Sequence, residues 1–133
     1  MTNEWFHPRG TLARDGFESN VDATLEGWAH TGLKIADLGG PVPTENDGSG
    51  NPDGSVDPRD GSIDLPAEAV ERVIVPLSGE AFTVDYALAD GTTGTQALTG
   101  RPSVFHGPAD CLYLPTGTSA TLRGVGRLAV CEA

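Results

Sequence analysis

Histidine, lysine and cysteine are scarce in this chain. There are three histidines (His7, His30, His106), one lysine (Lys34) and two cysteines (Cys111, Cys131) among 133 residues. No histidine occurs between His30 and His106, and each of the three lies on a different expected segment. A metal centre needs ligands that converge and are held by outer-shell partners, so a three-histidine site would be a coincidence of folding. Cys111 and Cys131 have no metal-like spacing; both are expected as free, buried thiols, with a disulfide as the alternative should their strands be neighbours. No apolar run reaches the length that spans a membrane, and the start, MTNEWFHPRG, lacks the pattern of a secretory leader. A cytoplasmic protein is the expectation. The net charge of −11 repels phosphate backbones and anionic lipids, which argues against nucleic-acid and membrane partners. Helical periodicity is also missing.

What the chain does have is glycine (18) and proline (10) between short β-prone runs. Gly27–Gly39 reads as one long strand, with Trp28, His30, Gly32, Lys34, Ala36 and Leu38 on one face. Phe17–Leu25 reads as a possible edge strand. Further strands are expected at Arg72–Leu77, Ala81–Leu88, Thr95–Leu98, Cys111–Leu114, Ser119–Arg123 and Gly126–Cys131. Turns are expected at Ser78–Glu80, Asp90-Gly91, Thr116-Gly117 and Gly124–Gly126. This pattern predicts one all-β domain over 1–133, a single jelly-roll barrel. Val73, Val75, Leu77, Leu112, Leu114, Leu122 and Val130 are the expected core.

Residues 41–69 interrupt the pattern. They carry seven acids and one base, and are rich in Pro, Gly, Asp and Ser, as a flexible acidic loop insertion would be. Within them, SGNPDGSVDPRD places Asn51, Asp53, Asp57 and Asp60 at the oxygen positions of a calcium loop, with Gly54 at the bend. Position 1 is Ser49 where such loops have Asp, and no flanking helix is evident, so a solvated loop is the competing reading. Calcium is the single cofactor that this segment suggests.

The stretch Ala109–Ala120 resembles the second motif of the cupin superfamily, G-x5-P-x-G-x2-H-x3-N. Pro115 and Gly117 stand in place, Ala109 holds the glycine position and Ala120 the histidine position. The first motif is echoed by ERVIVPLSGE (Glu71–Glu80), without its H-x-H and with Glu71 one residue out of step. The resemblance implies a cupin barrel whose transition-metal ligands are gone. More of the chain resembles the N-terminal half of the 5-deoxy-glucuronate isomerase family, sugar-acid isomerases of inositol catabolism. The segments are GWAHTGLKIADLG, VIVPLSGEAFTV, LTGRPSVFHGPADCLYLPTGTSATL and GRLAVCEA, in that order. The family is a bicupin with three His and a Glu as metal ligands in its second barrel, so this stretch has no catalytic, cofactor or metal residue to inherit. The resemblance implies a non-metal half that shapes the sugar-acid pocket and pairs with a C-terminal cupin half or forms a homo-oligomer. Two alternatives stand beside it: a stand-alone non-catalytic cupin that binds a small ligand or a protein, and a metal site drawn from Glu71, His106 and Asp110.

Overall fold

One long strand organises the molecule. The computed structural model describes residues 6–25, 31–39 and 61–133. In it β4, Arg72–Ala87, runs through both halves of a curled antiparallel sheet. Its first half lies between β8 (Gly126–Glu132) and β6 (Leu112–Leu114); its second half lies between β7 (Ser119–Gly124) and β5 (Thr93–Arg101). β2 (Gly32–Leu38) continues the sheet beyond β8, and β1 (Ser19–Val21) forms the edge beyond β2. β3 (Ser62–Leu65) pairs with β7 at the other edge. The described residues are all strand and loop, a jelly-roll-like β fold as the turn spacing predicted and of the cupin type that the resemblance implied.

The expected turn at Ser78–Glu80 is not a reversal. The chain stays in one strand and bends where it passes from one half-sheet to the other. Leu77 is squeezed out of register between the pairs Pro76↔Leu128 and Ser78↔Arg127, a bulge. Pro76 sits at that irregularity, where a missing N–H costs least. Gly79 follows at φ +121, backbone that a side-chain-bearing residue rarely adopts. Of the other three, Asp90-Gly91 and the Pro-Thr-Gly turn, with Gly117 at φ +77, are present; Gly124–Gly126 is again a bend, since β7 and β8 run on antiparallel to β4 on either side of it.

The core lies between the two half-sheets: Ala36, Leu38, Leu65, Ile74, Phe82, Val84, Leu98, Leu114, Leu122, Leu128 and Val130 are all buried. Leu114, Leu122 and Val130 were expected there, and Leu112 packs against it half-buried. Val73, Val75 and Leu77 belong to the opposite face of β4: Val73 is exposed and the other two are half-buried. The inward residues are Arg72, Ile74 and Pro76. Both parities of RVIVPL are apolar, so alternation alone could not choose between them.

Two more expectations change. Ser62–Leu65, taken as part of the acidic insertion, forms β3 with Leu65 buried. Both cysteines are free but exposed, not buried. Cys131 lies on the outer face of β8; Cys111 precedes β6, on the other side of β4. Two strand spacings, about 9–10 Å, separate those strands, beyond the reach of a disulfide.

Candidate functional site

Three charged side chains meet inside one end of the barrel. On β8 the inward series Leu128, Val130 ends at Glu132; on β4 the series Pro76, Ile74 ends at Arg72; on β2 the series Leu38, Ala36 ends at Lys34. Register brings the ends together, since Arg72 and Gly32 both lie opposite Glu132. Arg72 is 1% exposed, Glu132 6% and Lys34 8%. Arg72 Nε donates to Glu132 Oε2 at 2.8 Å, and Lys34 Nζ donates to Glu132 Oε1. Arg72 Nη1 donates to the carbonyl of Thr118 at 2.9 Å, tying the first half-sheet to the start of β7. Its Nη2 has no hydrogen bond among the described residues, but lies 3.4 Å from Glu68 Oε2.

The Pro-Thr-Gly turn supports this cluster. Gly117 N–H donates to the carbonyl of Glu68 at 2.8 Å, and Thr118 Oγ1 donates to that of Pro115 at 2.7 Å. One residue after the β7 start, Ala120 is buried, opposite Tyr86 on β4 and Leu65 on β3. The position at which the cupin motif has histidine thus presents a methyl group to the interior. An open depression of about 590 Å³ reaches Ala120 from the β3–β7–β5 side, past Asp64 and Asp85.

Beyond Lys34 and Glu132 the barrel end opens into a cavity of about 430 Å³. Asn20, Asp22, Thr31 and Glu68 are among its walls. Asp22 is held in a tight local network. Its Oδ1 accepts from Thr24 Oγ1 at 2.6 Å and Thr24 N at 2.9 Å, and Oδ2 meets Arg14 Nη2 at 2.6 Å. The Thr24 hydroxyl first, then the Thr24 N–H and Arg14, lower its pKa from 3.8 to about 2. Following the Asp22 carboxyl by NMR should therefore show it ionised at pH 3. Because the folded value is depressed, its contribution to stability is present above the unfolded pKa of about 3.9 and fades as pH falls through about 2. The variant Thr24→Ala should move that midpoint back toward the ordinary aspartate range.

The structure does not gather Glu71, His106 and Asp110. Glu71 accepts from Tyr113 Oη at 2.6 Å, which raises the tyrosine pKa. His106 Nδ1 shares a hydrogen bond with Ser103 Oγ at 2.7 Å, and Asp110 Oδ2 accepts from Thr99 N at 2.7 Å. Among the described residues no three His, Cys, Asp or Glu side chains are grouped to hold a metal. His30 and the calcium-loop candidates Asn51, Asp53, Asp57 and Asp60 lie outside the described residues. The buried triad was missed at the sequence level. Part of its signal was there: with Val130 expected in the core, one more step of two along β8 puts Glu132 inward, whereas the expected core of Val73, Val75 and Leu77 put Arg72 on the wrong face.

A family model for the KduI/IolB family matches residues 55–133, from before β3 through the whole of β8. The chain belongs to the KduI/IolB family. Among solved structures, an IolB-like protein of Salmonella typhimurium LT2 superposes with a TM-score of 0.61 at 25% identity. The alignment covers 91% of this chain and 38% of that one, so this KduI/IolB member spans well under half of its relative's length. Peruvianin-I, a cysteine peptidase from Thevetia peruviana latex, superposes with a TM-score of 0.55 at 14% identity, over 99% of this chain and 73% of its own. That likeness concerns the fold alone. No curated protein matches the chain. Membership of the KduI/IolB family makes this a sugar-isomerase-related cupin. Among the described residues no helix is long and apolar enough to cross a membrane.

Proposed function

We propose that this chain is the non-metal barrel of a 5-deoxy-glucuronate isomerase of the KduI/IolB kind, a cytoplasmic enzyme of inositol catabolism. It supports and shapes the sugar-acid site of a metal-bearing C-terminal cupin, and it does not turn over alone. The observation that carries this reading is the interior of the barrel. Ala120 is buried at the position of the motif histidine, and the buried carboxylate of the interior, Glu132, is paired with both Lys34 and Arg72. Aldose–ketose isomerisation moves a proton between adjacent carbons, which calls for a base and a polarising group at the carbonyl. Glu132 is the buried carboxylate nearest the role of a base, and its two oxygens are already held by Lys34 and Arg72.

A partner barrel explains why such a fold would be kept without its ligands. The relative in Salmonella typhimurium extends far beyond the 38% that this chain matches. Elemental analysis of the purified chain, after dialysis against Zn²⁺, Mn²⁺ or Fe²⁺ and exhaustive washing, should return substoichiometric metal in each case. About one retained metal ion per chain would overturn the non-metal reading.

A further inference from the structure

We infer that the cavity at the Lys34 end of the barrel binds a neutral, polyhydroxylated small molecule of monosaccharide size. This goes beyond the isomerase reading, since it concerns a pocket that needs neither a metal nor turnover. The cavity volume of about 430 Å³ lies in the range of small-molecule sites. The chemistry of its walls selects the ligand. Donors and acceptors are interleaved at close quarters. Lys34 carries three donor hydrogens and, among the described residues, meets one acceptor, Glu132. The Asn20 amide is 6% exposed, and its contacts are long at both ends: 3.4 Å from Arg14 Nη2 to its oxygen, 3.4 Å from its nitrogen to Asp15. Thr31 adds a hydroxyl, and Glu68 adds a carboxylate that, among the described residues, is held by the 3.4 Å approach of Arg72.

A hydroxyl group both donates and accepts, so it can satisfy Lys34 and Glu68 alike. A carboxylate ligand would satisfy Lys34 but face Asp15, Asp22, Glu68 and Glu132, four acids against one lysine in the wall. A protonated amine would satisfy the acids but leave the Lys34 ammonium facing a like charge. Burying either charge without full pairing is costly, whereas a polyol pays no such desolvation. Asn20 and Lys34 lie on the paired strands β1 and β2, directly opposite each other, so the two donors are presented on rigid backbone.

The test is amide NMR on the full ¹⁵N-labelled chain, with D-glucose, D-galactose, D-mannose and xylitol as neutral probes. D-glucuronate and D-glucosamine serve as charged counterparts. At least one neutral probe should shift the amides of Asn20–Thr24, Thr31–Lys34 and Glu68–Val70 saturably below about 100 mM, and bind about tenfold more tightly than both charged sugars. Lys34→Met, if its spectrum stays dispersed, should weaken that binding about tenfold. If that variant does not fold, Glu68→Gln replaces it, with a loss of the same order expected. Absence of saturable shifts at these amides with all four neutral probes would overturn the inference. So would tighter binding of glucuronate or glucosamine, or unchanged affinity in the folded variant. Glucuronate binding here would still leave the isomerase reading standing, and lack of turnover would leave this pocket untouched.

Discussion

Replacing Arg72 by methionine is expected to remove about 3–5 kcal/mol of folding stability, the scale on which breaking a buried ion pair acts. The change deletes three things at once. Glu132 loses its 2.8 Å partner, the Thr118 carbonyl loses its donor, and Glu68 loses the guanidinium beside it. Lys34 still meets Glu132, which keeps the cost from rising further. The loss comes from what is left behind and not from the worth of the pair, because ordering and desolvating the three charges offsets most of their attraction. A second variant separates these effects. Lys34→Met, Arg72→Met and Glu132→Leu together remove all three charges and should recover most of the stability, measured by urea unfolding at constant m-value. A single Arg72→Met variant within about 1 kcal/mol of the parent would mean that the triad is solvated and not buried.

The second large effect belongs to the bend. Gly126→Ala is expected to cost about 3 kcal/mol or more, and to disturb both half-sheets. Gly126 has φ +135, so any side chain there starts from strained backbone, about 1–3 kcal/mol. Its new Cβ would also run into the Ser78 carbonyl oxygen, and would lie 2.9 Å from both Gly79 Cα and Phe82 Cζ. Ser78 and Gly79 are backbone at the bend of β4, and Phe82 is 2% exposed, so none of them yields cheaply. Overpacking of that kind adds about 1–3 kcal/mol. Gly91→Ala is the control. It too has positive φ (+88), but a Cβ there meets nothing within 4 Å. It should show the strain alone, about 1 kcal/mol. Equal unfolding midpoints for the two variants would contradict the account of the bend.

These two positions also mark what the sequence could and could not reveal. Strand existence was legible, because proline and glycine punctuate short β-branched runs; β7 and β8 fall within a residue of their expected bounds. Strand continuity was not. Ser78-Gly79 reads equally as a reversal or a bend, and only the pairing of Gly79 with Arg101 on β5 decides for the bend. Inward parity was hidden on β2, where Lys34, Ala36 and Leu38 stand against Leu33, Ile35 and Asp37, and on β4, where Val73 and Ile74 are equally apolar. β3 was hidden for a different reason. Four residues, SIDL, follow an acidic Gly- and Pro-rich run, and tertiary pairing with β7 outweighs that local composition. The Ala120 substitution was legible because the turn around Pro115 and Gly117 fixes its place in the chain. The Lys34–Glu132–Arg72 triad was not, because it joins residues nearly a hundred positions apart.

The same triad links fold to function. A charged cluster with its partners inside the barrel positions β2, β4 and β8 against β7, and leaves its cavity-side donors to an added molecule. It does not supply an uncommitted base next to a polarised carbonyl. On the proposed function, this barrel supports chemistry without performing it. Turnover of 5-deoxy-glucuronate by the pure 133-residue chain tests it most directly, with and without added Zn²⁺ or Mn²⁺ and with and without a separately produced KduI/IolB C-terminal cupin. No turnover by the chain is expected under any metal, and a rate with the second cupin above that of the second cupin alone. Turnover by the chain alone, lost on Glu132→Gln, would contradict it.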